Sequence, residues 1–315
     1  MSDIFDELLN IYTPVSMLDS PTPIKNQLML QEALYRGWNV FNLESENIQI
    51  LISEICQEKL KDIPELFNSP VTIPELADVN YLIEHSILYN TNWEDFVDEI
   101  KYKNRFHLIN KVNLGILSRF FEYFSVTYPK GENFFRARQT ESSIPLPPEQ
   151  MGAPPKEKNS AGRANPKGIS VLYLSNDLDT TIFESRARVF DYLTIGTFEL
   201  KKDITIISFR ALDTVSPFLL GDITEYAINK ENLSKISHEI AKPLRRRDSD
   251  LDYLPTQYLT EFIKSKGFDG IEYKSTICPE GYNLAVFDET KLNCIGTKLY
   301  EITSLKYDYE EVNDS

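Results

Sequence analysis

The sequence predicts an α+β protein with a helical N-terminal part. Up to about residue 128, apolar residues recur at three- and four-residue intervals, whereas later residues alternate mostly apolar runs with helical patterns. The chain has 315 residues, and a domain typically takes about 100 to 200. We therefore expect a helical accessory domain over residues 1–128, a second domain over 129–300, and an acidic, flexible tail over 301–315.

Amphipathic helices are predicted in four segments of the first part. They cover residues 27–38, 46–60, 93–106 and 111–128. In the second segment, Ile48 and Ile52 belong to an apolar face, while Glu54 and Glu58 point away from it. This part has no glycine-rich loop and no arrangement of nucleophile and base, which is why we interpret it as accessory.

Composition limits the partners. A net charge of −15 disfavours binding to nucleic acid, because such binding needs a basic face that displaces counterions. The run KPLRRR at 242–247 is interpreted as a solvated helix end. No run approaches the roughly 20 apolar residues of a membrane span, so we expect a cytoplasmic protein without a membrane partner. Cys56, Cys278 and Cys294 are far apart, and no metal site is predicted.

A long loop rich in proline is the main feature of the second part. After a linker at 128–131 and a short strand at 134–138, residues 141–168 contain six prolines and three glycines, which excludes a long helix or a central strand. Residues 131–170 contain six basic and four acidic residues, a local charge of +2 in an acidic chain. Such a cationic region favours an anionic ligand.

Strands and helices alternate after this loop. A strand at 169–174 precedes a helix at about 177–188, for which Ser175 is the predicted cap. The remaining predicted strands are 192–200, 204–209, 271–273 and 283–287, and the remaining predicted helices are 232–241 and 255–266.

Four side chains in or near the loop indicate which kind of ligand the protein binds. Tyr173 ends a strand and Glu184 lies in the next helix, so one strand-to-helix turn brings them to the same cleft. Arg163 belongs to the loop that precedes this strand, and Arg136 lies on the strand before that loop. Two guanidiniums suit a pyrophosphate, an aromatic face suits a ring, and a carboxylate stabilises an oxocarbenium-like ribose. The set therefore suits a dinucleotide with a cleavable N-glycosidic bond.

The order of these motifs resembles the RES domain family. The resemblance covers about residues 130–290 and is carried by the sequences FRAR at 135–138, MGAPP at 151–155, AGRANPKG at 161–168, LYL at 172–174, IFE at 182–184, LPTQ at 254–257, FDGI at 268–271, YKS at 273–275 and NL at 283–284.

The resemblance implies a fold related to ADP-ribosyltransferases and a toxin that depletes NAD+ by glycosidic cleavage. Carried over by motif, Arg163, Tyr173, Glu184 and Ser275 would form the catalytic site. The further NAD+-contacting candidates are Arg136, Arg138 and Asn283; strand alternation puts the two arginines on one face, so both remain open. NAD+ would be the substrate and no other cofactor is expected. An antitoxin or regulatory protein and a homo-oligomer are left open as partners.

Two alternatives to an NAD+-depleting toxin remain. The acceptor of the ribose is open between water, phosphate and a macromolecule, the last of which would make the protein a mono-ADP-ribosyltransferase. A catalytically silent interaction module is the alternative of another class.

Residues 93–106 also resemble helical regions beside some RES domains that are compared with HEPN bundles. Because Arg105 and His107 are too close for the HEPN ribonuclease pattern, no ribonuclease activity is expected.

Overall fold

The computed structural model describes residues 2–18, 27–38, 40–89, 91–213, 215–242 and 249–306. These residues form helices and a mixed sheet, which confirms the predicted α+β class. The helices are α1 Ser2–Leu9, α2 Leu30–Gly37, α3 Ser45–Ile55, α4 Gln57–Asp62, α5 Pro64–Asn68, α6 Val79–His85, α7 Trp93–Tyr102, α8 Leu114–Tyr123, α9 Leu178–Ser185, α10 Ile223–Ala241 and α11 Leu254–Ser265.

The strands fall into two sheets. A small antiparallel pair joins β1 to β2, and the other strands form one sheet of eight. The strands are β1 Thr13–Pro14, β2 Val71–Thr72, β3 Ser125–Tyr128, β4 Asn133–Thr140, β5 Leu172–Ser175, β6 Tyr192–Leu200, β7 Ile204–Ser208, β8 Gly270–Lys274, β9 Tyr282–Val286 and β10 Leu292–Glu301.

The chain divides into two compact units. The first, called the helical unit below, consists of residues 1–124 and 210–238, and the second consists of residues 125–209 and 239–315. The division therefore differs from a single boundary at residue 128: four residues placed in the helical part belong to the second unit, and an internal segment belongs to the first.

The amphipathic pattern of the helical unit holds in α3. Ile48 and Ile52 are buried, and Glu54 is exposed. The predicted helix over 46–60 is divided into α3 and α4, because the backbone of Cys56 leaves helical geometry (φ −105°, ψ 46°).

The likeness of residues 93–106 to HEPN regions stays a prediction. None of the described helices is both long enough and apolar enough to cross a membrane.

The helix predicted over 111–128 ends in a strand. The helical prediction over 111–128 was wrong for its last residues, since α8 ends at Tyr123 and residues 125–128 form β3. β3 pairs antiparallel with β7, and the β-branched Val126 and Thr127 lie within that ladder. β-branched side chains suit a strand better than a helix.

The eight-stranded sheet organises the second unit. Its strand order is β10-β6-β4-β5-β9-β8-β7-β3, with only β7 and β8 parallel among the described pairs. On one face, Phe134 and Phe198 pack with Met151 of the proline-rich loop. On the other face, Ile195 packs with Ile182 of α9. Each face is thus covered by a different segment.

The C-terminal strand was not predicted. β10 pairs with β6 from Leu292 to Glu301 and forms an edge of the sheet. The backbone N–H of Ile302 donates to Asp191, and its side chain is buried, so the predicted flexible tail does not begin at residue 301. Residues 307–315 and the core of the basic run, residues 243–247, lie outside the described residues.

Candidate active site

A cavity of about 360 Å³ opens where β4 and β5 diverge. The two strands pair only at Phe135 and Ser175. Beyond this pair β4 continues along β6, whereas β5 pairs with β9. The side chains around the cavity come from both strands, α9, β8, β9, the loop after residue 160 and the start of α11. They are Phe135, Arg136, Ala137, Gly162, Arg163, Tyr173, Leu174, Ser175, Thr181, Glu184, Ser185, Tyr253, Tyr273 and Asn283.

Glu184 reaches the cavity from the last turn of α9. The helix begins after Asp177, whose side chain accepts the backbone N–H of Thr180 over 2.7 Å, so Asp177 and not the predicted Ser175 is the cap. Oε1 of Glu184 accepts hydrogen bonds from Ser275 Oγ over 2.7 Å and from Asn283 Nδ2 over 2.8 Å. Within the described part of the chain, Oε2 has no hydrogen-bond partner. One carboxylate oxygen is therefore fixed and the other is available.

Asn283 is held in one orientation by Ser175. The two residues are neighbours across β9 and β5, and Ser175 Oγ lies 2.7 Å from Asn283 Oδ1. Because a hydroxyl donates to an amide oxygen, the amide nitrogen of Asn283 is directed at Glu184. Both Ser175 and Asn283 are buried. Ser175 is a site residue that the sequence interpretation assigned to capping; its alternation with Tyr173 on one strand face was the available signal.

Ser275 follows β8 directly and does not line the cavity. Its backbone N–H donates to Gly281 O, and its hydroxyl accepts the N–H groups of Ile277 and Cys278 over 3.2 and 3.1 Å. A short turn therefore holds the hydroxyl while it donates to Glu184. Ser275 therefore contacts the carboxylate and not the cavity.

The two candidate arginines of β4 have different surroundings. Arg136 lines the cavity, and its Nη1 donates to Tyr173 O over 2.9 Å. Arg138 instead donates from Nη2 to Gly152 O over 2.6 Å, in the proline-rich loop, and does not line the cavity. Burial, followed by the positive charge of Arg138, lowers the pKa of Arg136 to about 10. Positive charge thus concentrates beside the cavity, where an anion would be stabilised.

Arg163 borders the cavity and is also anchored. Its Nη1 donates to the carbonyls of Ile240 and Ala241, over 3.0 and 2.8 Å, at the C-terminal end of α10. A cation is favourable there because the helix dipole ends in partial negative charge. The guanidinium carbon lies 4.9 Å from the centroid of the Tyr273 ring. Only one of its terminal nitrogens is used in these bonds.

Tyr173 shapes the loop that carries Arg163. Its hydroxyl donates to Asn165 Oδ1 over 2.7 Å and accepts the N–H of Ala164 over 3.1 Å. Burial is the main cause that raises the pKa of Tyr173, so the phenol stays neutral. A Cβ at Gly162 would lie 2.6 Å from the Tyr173 hydroxyl, so only glycine allows this approach.

Three further residues of the site carry no predicted role. Tyr253 and Tyr273 line the cavity, and Gln257 donates to the carbonyls of Gly162 and Asn165 over 2.8 and 3.0 Å. Gln257 belongs to the LPTQ motif, yet its function in the fold is to hold the loop.

In the described residues no group of three or more His, Cys, Asp or Glu side chains could hold a metal ion. The three cysteines are free thiols.

Comparison with known proteins gives one family. The model of the RES domain matches residues 133–297, slightly more than half of the chain. No curated protein matches the chain. Among solved structures, a chain of the M. tuberculosis MbcT–MbcA toxin–antitoxin complex aligns with a TM-score of 0.35 and 13% identity, covering 59% of this chain and 92% of that chain.

Proposed function

This chain belongs to the RES domain family, and from that membership we propose that it cleaves the nicotinamide–ribose bond of NAD+ and acts as a toxin or defence effector. The observation that carries the proposal is the carboxylate of Glu184, fixed through Oε1 by Ser275 and Asn283 at a cavity that also contains two arginines. Its free Oε2 is the group we assign to the ribose.

The role of Glu184 follows from where charge develops. When the bond between ribose C1′ and the nicotinamide nitrogen breaks, the electron pair leaves with nicotinamide, which becomes neutral. Positive charge then spreads over the ribose as an oxocarbenium-like species. A carboxylate held in advance beside that ribose lowers the barrier, because its interaction is stronger in the transition state than in bound NAD+.

The arginines supply the affinity for the pyrophosphate. Arg136 lines the cavity, and the positive charge of Arg138 near it favours an anion there, although Glu289 offsets part of that charge. Arg163 lines the cavity while its Nη1 holds the end of α10, so Nη2 and Nε are not used in those bonds. Guanidiniums bind phosphate oxygens through paired N–H groups. The rings of Tyr173, Tyr253 and Tyr273 offer apolar surface for the nicotinamide or the adenine.

The acceptor completes the reaction. An oxygen of water, phosphate or a macromolecule forms a bond to C1′; water or a hydroxyl group then releases its proton to solvent, whereas phosphate attacks through an oxygen that carries no proton. With water the product is ADP-ribose. With phosphate it is ADP-ribose that carries a phosphate at C1′, and with a macromolecule it is the mono-ADP-ribosylated macromolecule. A toxin of this kind needs a neutralising protein, and we include an antitoxin or regulatory partner in the proposal.

The test is to incubate the purified full chain with NAD+, with and without phosphate, and to follow nicotinamide and the ribose product. The proposal expects nicotinamide release by the wild type and much slower release by Glu184→Gln. Phosphate dependence would identify phosphorolysis, and label transferred to protein would identify the transferase. If the full chain releases no nicotinamide, with or without phosphate, the proposal is wrong.

A further inference from the structure

A second cavity, of about 370 Å³, lies within the helical unit, between the end of α2 and α10. Its floor is aromatic: the rings of Trp38 and Tyr226 have centroids 5.7 Å apart, and both residues are buried. Trp38 Nε1 donates to Tyr12 Oη over 2.9 Å, and Tyr226 Oη donates to Leu212 O over 3.1 Å. Trp38 and Tyr226 are only 4% and 2% exposed, so the two rings close the bottom of the cavity and leave little area for stacking.

The rim adds exposed aromatic surface. Tyr35 also lines the cavity and is 50% exposed, and Phe41 lines it beside the ring of Phe5, with which it stacks at 5.9 Å. The volume falls in the range of small-molecule sites, roughly 300 to 1,000 Å³. A planar ring of nucleobase size would therefore find an aromatic partner at the entrance, in Tyr35.

The charge of this cavity is opposite to that of the surrounding sequence. Residues 1–130 have 10 basic and 19 acidic residues, a balance of −9. The described side chains that line the cavity nevertheless include Arg36 and Lys230 and no Asp or Glu. Lys230 Nζ donates to Gly37 O and lies 5.7 Å from the Trp38 ring centroid. The cation is thus held at the edge of the aromatic floor.

An aromatic floor with two cations and no acid fits a ligand that joins a planar ring to an anion. We propose that this cavity binds a nucleoside monophosphate, with the base against the half-exposed ring of Tyr35, above the buried ring of Trp38, and the phosphate at Arg36 and Lys230. Aromatic stacking contributes about 1–3 kcal/mol per base in proteins that bind single strands, and Arg and Lys bind phosphate through charge-assisted hydrogen bonds. None of these residues belongs to the candidate active site, so the two proposals stand or fall separately.

The fluorescence of Trp38 provides the test. The chain contains two tryptophans, so the full-length Trp93→Phe variant leaves Trp38 as the sole reporter. Titration with AMP, GMP, CMP and UMP should give saturable quenching with at least one of them. Arg36→Gln and Lys230→Gln should each weaken binding about tenfold, the value of one charge-assisted bond. Lys235→Gln, also on α10 but paired with Glu231 and Glu94, should bind like the parent.

Controls separate the ring from the phosphate. Adenosine and inorganic phosphate should each bind much more weakly than AMP. The proposal is overturned if no monophosphate quenches at millimolar concentration, if adenosine binds as tightly as AMP, or if Arg36→Gln binds like the parent. Arg36 is exposed, so this variant tests the charge even if Lys230→Gln alters the fold.

Discussion

Ser275 donates its hydroxyl proton to Glu184 Oε1 over 2.7 Å, although 91 residues separate the two in the chain. Asn283 reaches the same oxygen from the neighbouring strand. The carboxylate is thus oriented by the ends of β8 and β9 rather than by its own helix alone.

Replacing Ser275 by alanine should slow NAD+ cleavage by about tenfold with little change in KM, because one hydrogen bond to a charged group is lost without loss of a ligand contact. The melting temperature should also fall, since the N–H groups of Ile277 and Cys278 lose their acceptor. Ser265→Ala, exposed at the end of α11, is the control and should keep the wild-type rate. A larger effect on KM than on kcat would contradict a positioning role.

Replacing Asn283 by aspartate should make activity depend on pH. The new carboxylate would lie beside Glu184, and two adjacent carboxylates raise the pKa of one of them. At pH 8 we expect at least about a tenfold loss, because like charges repel and the donor to Oε1 is absent. As pH falls toward 6, protonation of one carboxyl restores a donor, so the rate relative to wild type should rise. A constant ratio across this range would refute the explanation.

Tyr173→Phe should change stability in alkali. Burial raises the pKa of Tyr173 above the value of about 10 for an unfolded tyrosine. The folded chain keeps the proton longer than the unfolded chain, so this stabilisation is present below pH 10 and is lost as pH rises above it. In urea unfolding the wild type should therefore lose stability above pH 10 more steeply than the variant, by up to about 1.4 kcal/mol per pH unit. Equal slopes would mean that Tyr173 titrates normally.

Glycine at position 162 should be required for the shape of the loop. A methyl group there would meet the Tyr173 hydroxyl at 2.6 Å and Asn165 Oδ1 at 2.8 Å. Gly162→Ala should lower the free energy of unfolding by about 1–3 kcal/mol and should weaken NAD+ binding, because Arg163 follows directly. Gly296→Ala adds a methyl group with no atom within 4 Å and is the matched control. Equal stability of the two variants would contradict the close approach.

The sequence was sufficient for elements whose pattern is local. The strand predicted over 192–200 has the same limits as β6, and the candidate site residues meet around one cavity, apart from Arg138 and the supporting Ser275. Alternation alone could not separate Arg136 from Arg138. The difference arises because β4 leaves β5 after Phe135, which is a property of pairing between distant strands.

Other features depended on partners that the sequence does not reveal. Glu225 accepts hydrogen bonds from Arg119, 106 residues earlier, and Asn229 donates to His85 O. These contacts lie within the helical unit, which is why residues 210–238 belong there despite their position in the chain. β3 was read as helix because its four residues continue an apolar helical pattern, and only pairing with β7 makes them a strand.

The most direct test of the proposed chemistry is the rate of nicotinamide release by Glu184→Gln, measured together with the Kd for NAD+. Glutamine keeps an oxygen for Ser275 and Asn283 but removes the negative charge, so we predict a loss in rate of about 10²–10³ with Kd changed less than about threefold. Glu280→Gln, exposed in the neighbouring turn, should behave like the wild type. Wild-type release by Glu184→Gln would contradict the assignment of this carboxylate to the ribose.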